Sequence, residues 1–212
     1  MFPDLARDDV FRLETARLWL RWPRAADAAA IHRFCSLWEV ARYTARIPHP
    51  YPPGSAERFI YSGREGNASG RDLTLVMTPK RGKLDAIGSI SLESRGGDRL
   101  TLGFVLAPEH WGKGLTTEAT RAMVKTGFGL TDAVEILANV RVENDASRQV
   151  LETCGFEIAS SGLKGAPARG GLVECHTFRL TRDAWTDWVA SRRQALDQAQ
   201  FAQAHMDAGR HA

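Results

Sequence analysis

Trp111-Gly-Lys-Gly114-Leu-Thr-Thr117 sets two glycines one residue apart between an apolar run and a helix-forming one, with no carboxylate among them. Glycine takes positive φ without strain, so such a pair can turn successive backbone N–H groups toward one point. The helix that follows adds unpaired amides and the positive end of its dipole, and Lys113 adds a mobile cation. The chemistry on offer is capture of an anion, a diphosphate above all. A glycine pair between strand and helix is also an ordinary turn. The spacings of the NTPase phosphate loop and of the dinucleotide fingerprint are not met, since position 117 is Thr.

The elements that would position this loop follow from periodicity. Leu18, Leu20 and Trp22 alternate with Arg17, Trp19 and Arg21, a half-buried strand, after which Asp27 is placed to cap a helix reaching about Trp38. Four prolines in 46–54 exclude helix or central strand there. A helix from Ser55 ends within 63–70, and strands follow near 72–78, 86–93 and 99–106, the last feeding the glycine loop. Beyond the loop, Ala119, Ala122, Met123, Thr126 and Gly127 recur at helical spacing, small residues suited to close packing on a sheet. A buried strand at 136–142 leads to a helix capped by Asn144 or Asp145 and ended by Gly155. Strands near 156–160 and 173–180, with a loose loop at 162–171 between them, complete the sheet. A stripe of Trp185, Trp188, Val189 and Leu196 predicts a C-terminal helix, its tryptophans either core packing or a dimer contact, so monomer and homodimer both stay open.

The 212 residues, 43% hydrophobic and 25% charged, suffice for a full core without disulfides or metal. One domain over 1–181 with a helical extension over 182–212 is expected. Cys35, Cys154 and Cys175 are odd in number and widely spaced, and the first residues lack a basic start and an apolar signal core, which predicts the reducing cytoplasm. No apolar run approaches the ~20 residues of a membrane span, and no grouping of His, Cys and carboxylates has metal-ligand spacing. The net charge of +3 is small and spread, and Arg182, Arg192, Arg193 and Arg210 lack interleaved aromatics, so they read as a solvated helix face and not as a nucleic-acid surface.

Four stretches together resemble the GCN5-related N-acetyltransferase (GNAT) superfamily, most closely its ribosomal-protein N-terminal acetyltransferase-like branch of the RimJ/RimL type. They are Leu13-Glu-Thr-Ala-Arg17-Leu-Trp-Leu-Arg21 followed by Asp27; Ile87-Gly-Ser-Ile-Ser-Leu92; Leu102 through Ala119; and Val142-Glu-Asn144-Asp-Ala-Ser147 through Gly155-Phe156. The resemblance implies an α/β fold with a mixed, largely antiparallel sheet of about six or seven strands flanked by helices, to which this chain adds its C-terminal helix. It implies acetyl-CoA as co-substrate, no metal, and an amine as acceptor. The family's signature runs Gln/Arg-x-x-Gly-x-Gly/Ala; here it is Trp111-Gly112-Lys113-Gly114-Leu115-Thr116, and the terminal Thr either crowds a phosphate or donates to it, the second being preferred.

Amide formation needs a neutral amine, a stabilised oxyanion and a proton for the departing thiolate. By the resemblance, Phe104, Val105 and Leu106 meet the pantetheine arm through backbone groups, and residues 111–117 hold the diphosphate. Asn144 contacts the cofactor, Ser147 protonates the thiolate, and Arg148 reaches a phosphate; the residue-level alternatives are an N-cap, a surface serine and a solvated arginine. Some members of the family it resembles place a basic Glu in the loop before the last strand pair, at the position aligned with Ala166, so that role does not carry over. Glu93 is the replacement candidate, with Glu174 and His110 behind it; His176 reads as a satisfied histidine. A weak base favours an acceptor that needs little help. A lysine amine is about 0.1% neutral near pH 7.4, whereas an α-amine of pKa ~7.7–8.0 is already roughly a quarter neutral. A protein N-terminus or an amino acid is therefore preferred to internal lysine, with walls at 46–54 and 162–171 whose Arg46, His49, Tyr51, Lys164 and Arg169 suit an acidic or carboxylate-bearing partner. Other readings are a non-catalytic acyl-CoA sensor and an antibiotic or polyamine acetyltransferase.

Overall fold

The computed structural model describes residues 2–94, 96, 98–192 and 194. Its frame is an eight-stranded sheet in the order β1-β2-β3-β4-β5-β6-β8-β7. The strands are β1 (Arg12–Glu14), β2 (Leu18–Arg21), β3 (Asp72–Pro79), β4 (Gly88–Ser94), β5 (Arg99–Leu106), β6 (Glu135–Arg141), β7 (Glu157–Ala166) and β8 (Gly171–Thr181). All neighbours are antiparallel except β5 and β6. The mixed architecture agrees with expectation. The sheet exceeds the expected six or seven strands, and one strand not anticipated is the short β1, which pairs with β2 across a turn at Thr15.

Helices cover both faces. β3 is buried from Leu73 to Thr78, as a strand must be when neither face meets water. On one face α4 (Leu115–Leu130) packs Met123 and Phe128 against Leu20, Leu75, Ile90 and Leu92. A Cβ on Gly127 would stand 2.8 Å from Leu92 Cδ1, so small residues along α4 are demanded by the closeness of the sheet. On the other face α1 (Ala28–Cys35) and α3 (Ser55–Ala68) pack Ile31, Phe34, Ala56 and Ile60 over Val76 and Ala107. Truncating any of these large side chains to Ala costs about 2–5 kcal/mol.

Four expectations need correction. The first helix does not run to Trp38: it stops at Cys35, where Ser36 Oγ donates to His32 O at 2.7 Å and Leu37 turns extended, and a four-residue α2 (Trp38–Ala41) follows. Asp27 does not cap that helix through its side chain; its carboxylate takes both Arg21 nitrogens at 2.8 Å and the Arg24 amide at 2.7 Å. The loop at 162–171 is mostly strand, because Gly162 to Ala166 pair in register with Cys175 to Gly171, and only Pro167–Arg169 and Gly170 turn. Cross-strand pairing overrides the low strand propensity of glycine there.

The fourth concerns Arg182, which is no solvated helix residue. It opens the helix over 182–192, called α6, and donates to Phe128 O, Thr131 O and Ala133 O at 2.7–3.0 Å, closing the carbonyl end of α4. Trp185 stacks on Phe128 at 5.2 Å, and Trp188 lies over Gly155. Gly155 is the positive-φ residue ending α5 (Asp145–Thr153), with Phe156 N bonded to Leu151 O at 3.1 Å. Arg193, Leu196 and Arg210 lie outside the described residues. Among those described, no helix is long and apolar enough to cross a membrane.

Candidate active site

β5 and β6 pair only over Arg99–Thr101 and Glu135–Leu137, then part, while β5 stays paired with β4 to Leu106 and β6 with β8 to Arg141. Ala107 N donates to Ile87 O on the β4 side. By the alternation of a strand, the main-chain groups of Leu102, Phe104 and Leu106 therefore face the gap. Trp111 Nε1 donates to Leu106 O at 2.7 Å, leaving the Phe104 and Leu106 amides open to the cleft. The cleft holds ≈ 1290 Å³, above the ~300–1,000 Å³ usual for one small ligand.

The glycine loop ends this cleft. Gly112 and Gly114 stand at φ +70° and +69°, and Gly114 opens α4 with no side chain capping it. The amides of residues 112–117 donate to no protein acceptor among the described residues, six consecutive donors before Glu118 N finally bonds Gly114 O. A Cβ on Gly112 would meet nothing within 4 Å. Unpaired amides, a helix N-terminus and open space are what a diphosphate requires.

Sequence reasoning missed the clamp behind this loop. Glu118, one turn into α4, accepts from Thr15 Oγ1 at 2.6 Å and from Arg17 N and Nε at 2.7 Å each, and Arg17 Nη1 reaches on to Lys113 O at 2.8 Å. Burial pushes the Glu118 carboxyl up, but the Thr15 and Arg17 hydrogen bonds outweigh it and hold the group below its ordinary range. The partners lie about a hundred residues apart in sequence, so only the fold reveals them.

Of the residues expected at the cofactor, Phe104, Val105, Leu106, Trp111, Gly112, Gly114, Leu115, Thr116, Thr117, Asn144 and Ser147 line the cleft. Asn144 is an N-cap, its Oδ1 accepting from Ser147 N at 3.1 Å, which orients the first turn of α5 toward the gap. Ser147 Oγ has no protein partner among the described residues. Lys113 and Arg148 are not on the lining. The Lys113 ammonium donates to Glu109 O at 2.7 Å, and Arg148 pairs with Asp145 at 2.8 Å.

The other half of the cleft is made of side chains. Glu93 lines it, with each of its oxygens bound by the Arg46 guanidinium. His110 also lines the cleft, whereas Glu174 and His176 do not; His176 Nδ1 is 2.7 Å from Ser161 Oγ on the outer hairpin. Cys35 and Cys175 reach the cleft as thiols. Burial, partly offset by a Tyr51 hydrogen bond, pushes Cys35 up to about 12, and burial raises Cys175 too. Overhead, the tip of the β7–β8 hairpin straps onto the segment after α2. Ala168 N donates to Ala45 O at 3.0 Å, Arg169 Nη2 donates to Ile47 O, and the Arg169 guanidinium lies 5.5 Å from the Trp38 ring centre. Among the described residues no three His, Cys, Asp or Glu side chains gather as a metal site.

Comparison with known proteins gives a consistent family. Residues 17–157 match the family described as acetyltransferase (GNAT) domain. An uncharacterized N-acetyltransferase, p20 of Bacillus licheniformis, is 26% identical over 175 residues, covering 80% of this chain and 96% of p20. Mycobacterium smegmatis RimJ, solved with CoA-disulfide, superposes with a TM-score of 0.70 at 22% identity over 83% of this chain and 90% of RimJ. Spermidine N-acetyltransferase of Vibrio cholerae, solved with CoA and spermine, gives 0.67 at 19% identity over 80% and 98%. At these identities the two solved structures show a fold shared with this chain.

Proposed function

The chain belongs to the acetyltransferase (GNAT) domain family and is an acetyl-CoA-dependent N-acetyltransferase, and we propose that the amine it acetylates is an α-amino group, a protein N-terminus or a free amino acid, attacking directly in a ternary complex. The observation that carries this reading is the state of Glu93. Its carboxylate is engaged by Arg46 on both oxygens, and the position where the resemblance would put the basic Glu of some relatives is the buried, apolar Ala166. An α-amine tolerates so little assistance, whereas a lysine amine must first lose a proton at a cost of about 4 kcal/mol near pH 7.4.

In this reading the free amides of residues 112–117 hold the diphosphate, with Thr116 able to add its hydroxyl. The open amides of Phe104 and Leu106 bind the pantetheine arm and the thioester oxygen as charge develops on it. Ser147 Oγ supplies the proton to the departing sulfur, its backbone fixed by Asn144. Direct attack is favoured over an acyl-cysteine because burial keeps Cys35 and Cys175 protonated. Five arginines and lysines against three carboxylates line the cleft, which argues against a polyamine acceptor.

The test is turnover at pH 7.4 of a free-N-terminus peptide lacking lysine, against an N-terminally blocked peptide carrying one lysine. The first should be acetylated at least tenfold faster; equal rates would overturn the α-amine assignment.

A further inference from the structure

We propose that Arg17, held by Glu118, is a positioning residue of the cofactor loop: it sets the orientation of the Lys113–Gly114 peptide and through it the aim of the loop's N–H groups at a diphosphate. The inference rests on the acetyl-CoA reading of that loop.

Glu118 uses each oxygen. Oε1 accepts from Thr15 Oγ1 and Arg17 N, while Oε2 accepts from Arg17 Nε, so the guanidinium is fixed in plane and in direction. From that fixed fork Nη1 reaches Lys113 O at 2.8 Å. A trans peptide points its C=O and the next N–H in opposite directions. Holding Lys113 O toward Arg17 therefore turns Gly114 N–H away from it, into the run of amides that donate to nothing. Lys113 is the only non-glycine residue between two positive-φ glycines, so this one peptide plane governs the loop's shape. Its side chain is tied as well, to Glu109 O.

Arg17 has a second conceivable role, as a cation that contacts the phosphate itself. The two roles give opposite signs for Glu118→Gln. A direct phosphate ligand released from its carboxylate would bind acetyl-CoA more tightly; a positioning residue that loses its anchor would bind it more weakly.

Acetyl-CoA and S-acetylpantetheine, the same thioester without the diphosphate and the 3′-phosphoadenosine beyond it, separate these outcomes. For Glu118→Gln, KM and Kd for acetyl-CoA should rise roughly tenfold, about one charge-assisted hydrogen bond, with kcat at saturation retained and kcat/KM for S-acetylpantetheine unchanged. Arg17→Lys, at a half-exposed position, keeps the charge but not the fork and should give a smaller rise of the same pattern. Tighter acetyl-CoA binding by Glu118→Gln, equal losses for both donors, or no change in either variant would overturn the proposal. Calorimetry with acetyl-CoA needs no acceptor, so a missing turnover substrate strikes the acceptor reading alone, whereas a wild type that does not bind acetyl-CoA removes both.

Discussion

At the end of the cleft proposed for the cofactor the groups that face a ligand are main-chain amides held by φ angles, a helix start and a partly buried carboxylate, whereas at the end proposed for the acceptor they are side chains on segments that hold one another in place. The first arrangement tolerates change at side chains and fails when the backbone cannot reach its conformation. The second can swap residues freely, and its identity is written in Arg46, Glu93 and the strap at Ala168 and Arg169.

The strongest way to break the contrast is Gly114→Val. A β-branched residue at φ +69° costs about 1–2 kcal/mol or flips the peptide, while the new Cβ meets only Arg17 Nη2 at 3.6 Å. Calorimetry should find acetyl-CoA affinity reduced at least a hundredfold, with the melting midpoint lowered by only a few degrees. Next is Ser147→Ala, which should lower kcat about a hundredfold in steady-state assays while leaving acetyl-CoA Kd within twofold. Unchanged kcat would reduce that serine to a helix residue.

A milder effect belongs to the acceptor end. Arg169→Ala removes the bond to Ile47 O and the cation facing Trp38, and should change acceptor KM by about three- to tenfold without moving acetyl-CoA Kd. Parallel changes in both constants would mean that the two ends are one unit. The smallest effect is on stability against pH. Glu118 is lowered below its ordinary range, so its contribution is fully present above the unfolded value of ~4.3 and is lost as pH falls below that through the folded value. Between about pH 5 and 3 the wild-type melting midpoint should fall more steeply than that of Glu118→Gln.

What was legible in the chain was local. The glycine loop, the Asn144 cap, the C′ glycine at 155 and the small face of α4 are each written in a few adjacent residues, and the structure shows all four. The misreadings arose where distant partners decide. Glycines at 162 and 165 signal a loop until β8 supplies a ladder, and Arg182 looks solvated until the end of α4 arrives beside it. Arg17 and Glu118 belong to sequence stretches already singled out, yet nothing in their spacing pairs them.

The sheet parts after a seam of three residue pairs, and the hairpin tip ties the two halves together again beyond the gap. A structure joined at both ends of an opening behaves mechanically as a frame, not as a jaw. Swinging one arm about the seam would have to break the bonds of Ala168 N to Ala45 O, Arg169 to Ile47 O and Arg141 Nη1 to Arg42 O together, so the aperture is held from both ends.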